Sequence, residues 1–590
     1  MSLEQAWQAF STGDNATARR LCDALLPSEQ VDVLELHALL LASGGDPQAA
    51  SEVFRQLMAL EPQNNAHRIN LGCTYLDQGQ LEAAAQVFDD TCAAFPEAAE
   101  AWLNLGLVRY QQKHWLAAGE ALAKSHGLNP LPVSAIYAAH AALMMGERAA
   151  AQQWLQALGK GFAIEDPETT NLLALVLLGL EQETQAERLL RQLLKAFPDF
   201  PSAKLNLALI RERANAVEEV QSLIANLQSD DPNLALLRAR LLLREKQGQA
   251  ALDVLAPVIP QSSGKLRSEL LFEQGKAADQ AGAYDLAFVS FTEANALVRD
   301  AWREFHPPQD PSVLPAWLQD HVECDPKAGA IRIKAEEEPV FVVGFPRSGT
   351  TLLDQMLDAH PALQVYEEKP LLDAVAAKLE QRPGGLRKAL ENFNAADAAL
   401  LRKLYFDTAA QFAPRTGVLV DKNPLNIARL QLIQQVFPKA KIILALRHPC
   451  DVVLSCFMQN FRFTEATRGF WTLQDTAQLY DQILTLWQAQ RQRLQPEVLE
   501  IRYENLIQDL EGHARQLCAF LGLDWQPKML DYAAHAQTRR ISTPSYAQVV
   551  QPIYQGAKDR WRNYQAQFAP IMAQLQPHID ALGYTVGDGA

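Results

Sequence analysis

Pro339-Val-Phe-Val-Val-Gly344-Phe-Pro-Arg347-Ser348-Gly349-Thr350-Thr351-Leu-Leu353 holds three pieces of structure in fifteen residues. A short apolar run predicts a buried strand. Two glycines then punctuate a tight turn, where the backbone must curl. The Thr-Thr pair opens an amphipathic helix. A turn of this kind points successive N–H groups inward around an anion, and the new helix adds its positive end. Thr350 and Thr351 bring hydroxyl donors, and Arg347 brings a fixed charge into the loop.

The order Gly344-x-x-x-x-Gly349-Thr350-Thr351 has the spacing of a nucleotide-binding P-loop, with Thr where that motif carries lysine. The missing lysine and the extra Arg347 argue against ATP hydrolysis and against a kinase. Further strand-like runs follow, Val418–Val420, Lys441–Arg447 and Val498–Tyr503, separated by helical stretches. Short apolar strands alternating with helices predict βαβ units and a parallel sheet covered on both faces. The second informative stretch runs from Lys441 to Ser455. A strand ends in Arg447, and a turn containing Pro449 starts a helix that presents Ser455. Arg can grip a phosphate bidentately and Ser adds a directed donor. His448 stands at the turn and is read as turn geometry.

With these segments the chain resembles the sulfotransferases that use 3′-phosphoadenosine 5′-phosphosulfate (PAPS). The form Phe-Pro-Arg-Ser-Gly-Thr-Thr resembles that of the tyrosylprotein sulfotransferases. The resemblance implies that Arg347, Ser348, Gly349, Thr350 and Thr351 hold the 5′-phosphosulfate, and that Arg447 and Ser455 bind the 3′-phosphate. It carries further, onto Asp358-Ala-His-Pro361 and the paired Glu367 and Glu368, the second of which it makes the general base, with Glu367 as its rival. The family's Thr-Arg after the glutamates is Lys369-Pro370 here, which puts a tyrosine-peptide acceptor in doubt. Lys422 would neutralise charge on the leaving oxygen, and Tyr503 in Arg-Tyr-Glu-Asn-Leu would contact the nucleotide. Ser545 would support the transition state, with Ser542 and Thr543 as rivals, and Arg560 before Trp561 would reach the 3′-phosphate. The apolar run ending in Asp421 also imitates an ATPase metal-binding strand. That reading ranks second, because the loop lacks its lysine.

Upstream the texture is different. Pro62, Pro96 and Pro130 stand 34 residues apart, and Pro198 falls two periods later. Leu71-Gly72 is answered by Leu105-Gly106. Ala50, Ala84, Ala118 and Ala186 keep the same register, as do Phe54, Phe88, Leu122 and Leu190. This pattern resembles the tetratricopeptide repeat, two antiparallel helices per unit, whose apolar faces are buried only by stacking. Small residues fit where the helices approach closely, and the proline follows the second helix. The beat weakens after Pro198, although Leu234–Ile259 and Leu270–Val298 still pattern as helical pairs. Prolines 307, 308, 311 and 315 then crowd into a junction.

The expected architecture is multidomain. An α-solenoid of tetratricopeptide-like helical repeats occupies residues 1–300, a linker 301–338, and an α/β P-loop-like domain with a central parallel sheet 339–585. A chain of 590 residues is too long for one ordinary core. The net charge of −16 argues against a general nucleic-acid binder. The seven cysteines are scattered without metal-ligand spacing, which suggests a reducing compartment. No signal peptide or membrane span is legible, so a cytoplasmic location is expected. The expected activity is transfer of a sulfuryl group from PAPS, with no metal, to a hydroxyl on a protein, peptide, glycan or small molecule. The repeats would recruit that substrate or a protein or peptide partner. A non-catalytic repeat scaffold with a relic nucleotide fold is the alternative, and a P-loop kinase a more distant one.

Overall fold

The computed structural model describes residues 2–158, 166–228, 230–304, 318, 337–461, 464–531 and 558–586. The chain divides into two compact units, Met1–Leu227 and Gln228–Ala590.

The first unit is built of helical hairpins. Asn65–Asp77 pairs with Leu81–Ala94, and Ala99–Gln111 with Trp115–Leu128. The periodic residues do what their spacing predicts. Ala50, Ala84, Ala118 and Ala186 are fully buried, and Phe54, Phe88, Leu122 and Leu190 pack with them. A Cβ on Gly72 would stand 2.5 Å from the Phe88 ring, and one on Gly106 2.6 Å from Leu122. The glycine is what lets the two helices of a repeat close on each other. Asp46, Asn64 and Asp166 cap helix N-termini through their side chains. Pro62, Pro96, Pro130 and Pro198 each follow a second helix.

The second unit starts with two more hairpins, Pro232–Arg244 with Gly248–Leu255 and Gly264–Gln280 with Tyr284–Arg303. These share one apolar core with the α/β fold that follows. Phe272 and Phe291 belong to the same buried cluster as Phe341, Phe437 and Phe457. The Phe288 and Phe457 rings lie 5.2 Å apart, and the buried Asn295 side chain donates to the Phe457 carbonyl at 2.9 Å. The 301–338 junction expected between repeat and sheet lies outside the described residues, apart from 301–304, 318 and 337–338.

The sheet has five parallel strands: β1 Val340–Gly344, β2 Leu363–Glu367, β3 Val418–Lys422, β4 Lys441–Leu446 and β5 Val498–Arg502. Their order is β2-β3-β1-β4-β5. Side chains alternate between two cores. Phe341 and Val343 face one with Ile442 and Leu444, while Val340 and Val342 face the other with Ile443 and Ala445. Both faces are therefore covered, as a parallel sheet requires. Strand β2 was not predicted from the sequence. It is a short edge strand of five residues, Leu-Gln-Val-Tyr-Glu, with only three apolar side chains, and it matters because Glu368 follows directly from it.

Because every strand runs the same way, the residues after β1 to β5 all emerge at one edge. The chain winds from β1 to the β2-β3 side and then crosses back to β4. The crevice outside the strand ends at such a reversal is where open α/β sheets bind ligands.

Candidate active site

The loop after β1 is shaped by two close approaches. A Cβ on Gly344 would meet the Ala445 carbonyl oxygen of β4 at 2.6 Å. Gly349 takes φ +95°, and a Cβ there would lie 2.7 Å from the Tyr503 ring. Between them Arg347 adopts φ +71°, a conformation a side-chain-bearing residue takes only when its surroundings impose it. Gly349 is the N-cap of the helix Thr350–Asp358 and brings no side-chain acceptor to the first N–H groups. Ser348, Thr350 and Thr351 are all buried at this helix start.

Three segments distant in sequence meet at this loop. Arg347 Nε donates to Ser455 Oγ at 3.1 Å, and Arg447 Nη1 donates to the Arg347 carbonyl at 3.1 Å. The Arg447 guanidinium lies 5.2 Å from the centroid of the Tyr503 ring. Arg347 has its pKa brought down to about 10, first by burial and then by the like charges of Arg447 and Arg560, with Cys456 opposing. It stays a cation at neutral pH, and the three guanidinium groups repel one another across the site. Cations that repel one another beside a helix N-terminus would be relieved by an anion held between them.

The other half of the edge is a lysine among carboxylates. Lys422 closes β3 with no exposed surface. Its Nζ stands 3.0 Å from Glu368 Oε1, 3.3 Å from Glu367 Oε1 and 3.6 Å from Asp354 Oδ2. Burial works against its charge, but Asp354, Glu368 and Glu367 outweigh it and hold the pKa above the usual lysine value. Lys422 is thus a fixed cation rather than a proton carrier. The two glutamates differ sharply. The Glu367 side chain is 7% exposed and that of Glu368 is 44% exposed. Glu368 also takes φ +49°, with its N–H donating to the Lys422 carbonyl at 2.7 Å. The backbone turns out of β2 at this residue and leaves its carboxylate partly exposed, within reach of Lys422.

Comparison with known proteins bears on this edge. The Sulfotransferase family model matches residues 339–527, and the Tetratricopeptide repeat model matches 35–93, 69–130 and 171–219. The chain is a tetratricopeptide-repeat region followed by a sulfotransferase-family domain. It is 24% identical to an uncharacterised protein of Aquifex aeolicus (strain VF5), over 93% of this chain and 76% of that one. It is 25% identical to protein-tyrosine sulfotransferase 1 of Danio rerio, over 42% of this chain and 74% of that one. A solved sulfotransferase domain from the curacin biosynthetic pathway aligns with 42% of this chain and 99% of its own, at 24% identity and a TM-score of 0.32.

Several residues of the sulfotransferase-family domain escaped the sequence reading. Asp451, buried in the first turn of the helix Pro449–Phe457, accepts the N–H groups of Asp559 at 2.8 Å and Trp561 at 3.0 Å. It thereby fixes the short segment that carries Arg560. Glu504 accepts the His448 N–H and the Tyr584 hydroxyl, each at 2.9 Å. His448 caps the same helix, its Nδ1 accepting from the Cys450 N–H, and it stacks on Trp561. It is the turn residue its position suggested. Asp421 is fully buried, and its Oδ2 accepts from the Tyr405 hydroxyl at 2.8 Å. It thus serves the core, on the face of β3 opposite Lys422. Arg560 donates to Asp279, a residue of the helix Gly264–Gln280. Nothing in the local sequence around Asp279 distinguishes it from other polar helix residues. Ser545, with Ser542 and Thr543, lies outside the described residues.

Proposed function

We propose that this chain moves a sulfuryl group from PAPS to a hydroxyl acceptor at the C-terminal edge of its sheet. The observation that carries this reading is the convergence of Arg347, Arg447 and Ser455 on the loop between Gly344 and Gly349. Two hydrogen bonds join residues about a hundred positions apart in sequence. The donor set fits a nucleotide with anionic groups at two places. Arg347, Ser348, Gly349, Thr350 and Thr351 would hold the 5′-phosphosulfate. Arg447, Ser455 and Arg560 would hold the 3′-phosphate, with Tyr503 beside the nucleotide.

Bound PAPS would supply an activated sulfuryl group, and the chain's own residues do the rest. Glu368, the exposed carboxylate, takes the proton of the incoming hydroxyl. Lys422 keeps its positive charge and balances the negative charge that gathers on the departing oxygen. Arg347 adds a second fixed charge from inside the loop. Positioning and charge compensation dominate this kind of transfer. Ser545 is proposed for the transition state by its place in sequence alone. The repeat region, with its stacked hairpins, is proposed to recruit the acceptor or a peptide partner. Among the described residues no helix is long and apolar enough to cross a membrane.

Calorimetric titration tests the reading. The expected outcome is binding of 3′-phosphoadenosine 5′-phosphate (PAP) without added metal and, with labelled PAPS and a cell extract, label transferred to an acceptor. Binding of ATP with magnesium in place of PAP would overturn it.

A further inference from the structure

The helix Gly264–Gln280 belongs by sequence pattern to the repeats, yet one of its side chains reaches the nucleotide-facing edge. Arg560 donates to Asp279 through two atoms, Nε to Oδ1 at 3.2 Å and Nη2 to Oδ2 at 2.6 Å. The Tyr564 hydroxyl donates to the same Oδ1 at 2.6 Å. Asp279 is mostly buried in this arrangement. The backbone on either side of Arg560 is fastened separately, by the two N–H bonds to Asp451. Asp451 shares its helix with Ser455, whose hydroxyl meets Arg347. Arg560 is thus held at the main chain by the helix of the anion site and at the guanidinium by the repeat-like helix. It stands close enough to Arg347 for the two charges to repel.

We propose that Asp279 is a positioning residue for the 3′-phosphate of the nucleotide, acting through Arg560, so that the last helical hairpin is part of the nucleotide site. This rests on the PAPS reading given above. An arginine left loose must surrender side-chain freedom when it grips an anion. The bidentate carboxylate fixes one edge of the planar group in advance. It also draws some of the charge, and Arg347 and Arg447 remain beside it to meet the anion. A pair that merely docked the hairpin would affect every ligand alike. A positioning pair affects only ligands that carry the 3′-phosphate.

That difference is measurable on the full chain. Binding of PAP and of adenosine 5′-monophosphate, which lacks the 3′-phosphate, is titrated for the wild type, Asp279→Asn, Arg560→Gln and the double variant. Asp279→Asn is expected to weaken PAP about tenfold and leave the monophosphate unchanged. On the Arg560→Gln background it should cost nothing further. Equal weakening of both ligands, unchanged PAP binding, or a full loss persisting without Arg560 would overturn the proposal. Should Asp279→Asn fail to fold, Tyr564→Phe removes the one bond to the carboxylate that does not come from Arg560. A PAP-selective loss there supports the proposal, and an equal loss or none sinks it. If the wild type itself does not prefer PAP to the monophosphate, the PAPS reading falls and this proposal falls with it. If the wild type does prefer PAP and Asp279→Asn keeps that preference, only this proposal falls.

Discussion

Glu367 and Glu368 are chemically identical neighbours in opposite surroundings. Glu367 is the last residue of β2 and is buried against Lys422, while Glu368 has left the strand with its carboxylate open to solvent. Glu368→Gln is therefore expected to lower kcat about 10²-fold while PAP affinity stays within twofold of wild type. Glu367→Gln should leave kcat within a few-fold. The reverse outcome in steady-state kinetics would make Glu367 the base. Arg447 is buried beside Tyr503 and bonded to the loop backbone. Arg447→Ala should weaken PAP by about 3 kcal/mol in a calorimetric titration. Asp421 offers a pH test. Burial chiefly raises its pKa to about 7, while the Tyr405 bond opposes the shift. A carboxyl whose folded pKa is raised binds more protons folded than unfolded. Its contribution is full below the ordinary aspartate value, near 3.9, and is lost as pH rises toward about 7. Asp421→Asn should remove that part of the fall in stability between those values, read as the difference between wild-type and variant denaturation midpoints. A difference that does not change with pH would contradict the assignment.

At the scale of the element, the repeat hairpin depends on the missing Cβ. Alanine is the better helix former by about 1 kcal/mol, so an exposed Gly→Ala change would stabilise. At Gly72 the new methyl would stand 2.5 Å from the Phe88 ring. Overpacking of that kind costs about 1–3 kcal/mol and wins over propensity. Gly72→Ala is expected to lower Tm, and Phe88→Leu in addition to recover part of the loss. A rise in Tm for the single variant would show that the hairpin spreads freely. The same contact recurs between Gly275 and Phe291 at 2.6 Å, in the second unit. The repeat geometry therefore continues into the hairpin that carries Asp279.

At the scale of the molecule, that continuation sets where the catalytic half can be cut. Phe272, Phe291, Phe341 and Phe457 lie in one buried cluster, so the hairpins from Pro232 to Arg303 complete the core of the sheet domain. Residues 228–590 are expected to fold cooperatively when expressed alone. Residues 337–590, which begin at the sheet, should bare the apolar surface under those helices and aggregate. Equal solubility and equal Tm for the two fragments would show that the hairpins are dispensable. The sequence determined the repeats, the tight turn after β1 and four of the five strands, because each is written in local spacing: a recurring proline, two glycines around a turn, a run of apolar residues. Only the tertiary structure decided which glutamate is exposed and which is buried, because that turns on where an edge strand ends and the side-chain alternation with it. Only the tertiary structure joined Ser455 to Arg347 and Asp279 to Arg560. Those partners lie too far apart along the chain for any spacing to encode them, and they meet because the helices that carry them bury their apolar faces in a common core.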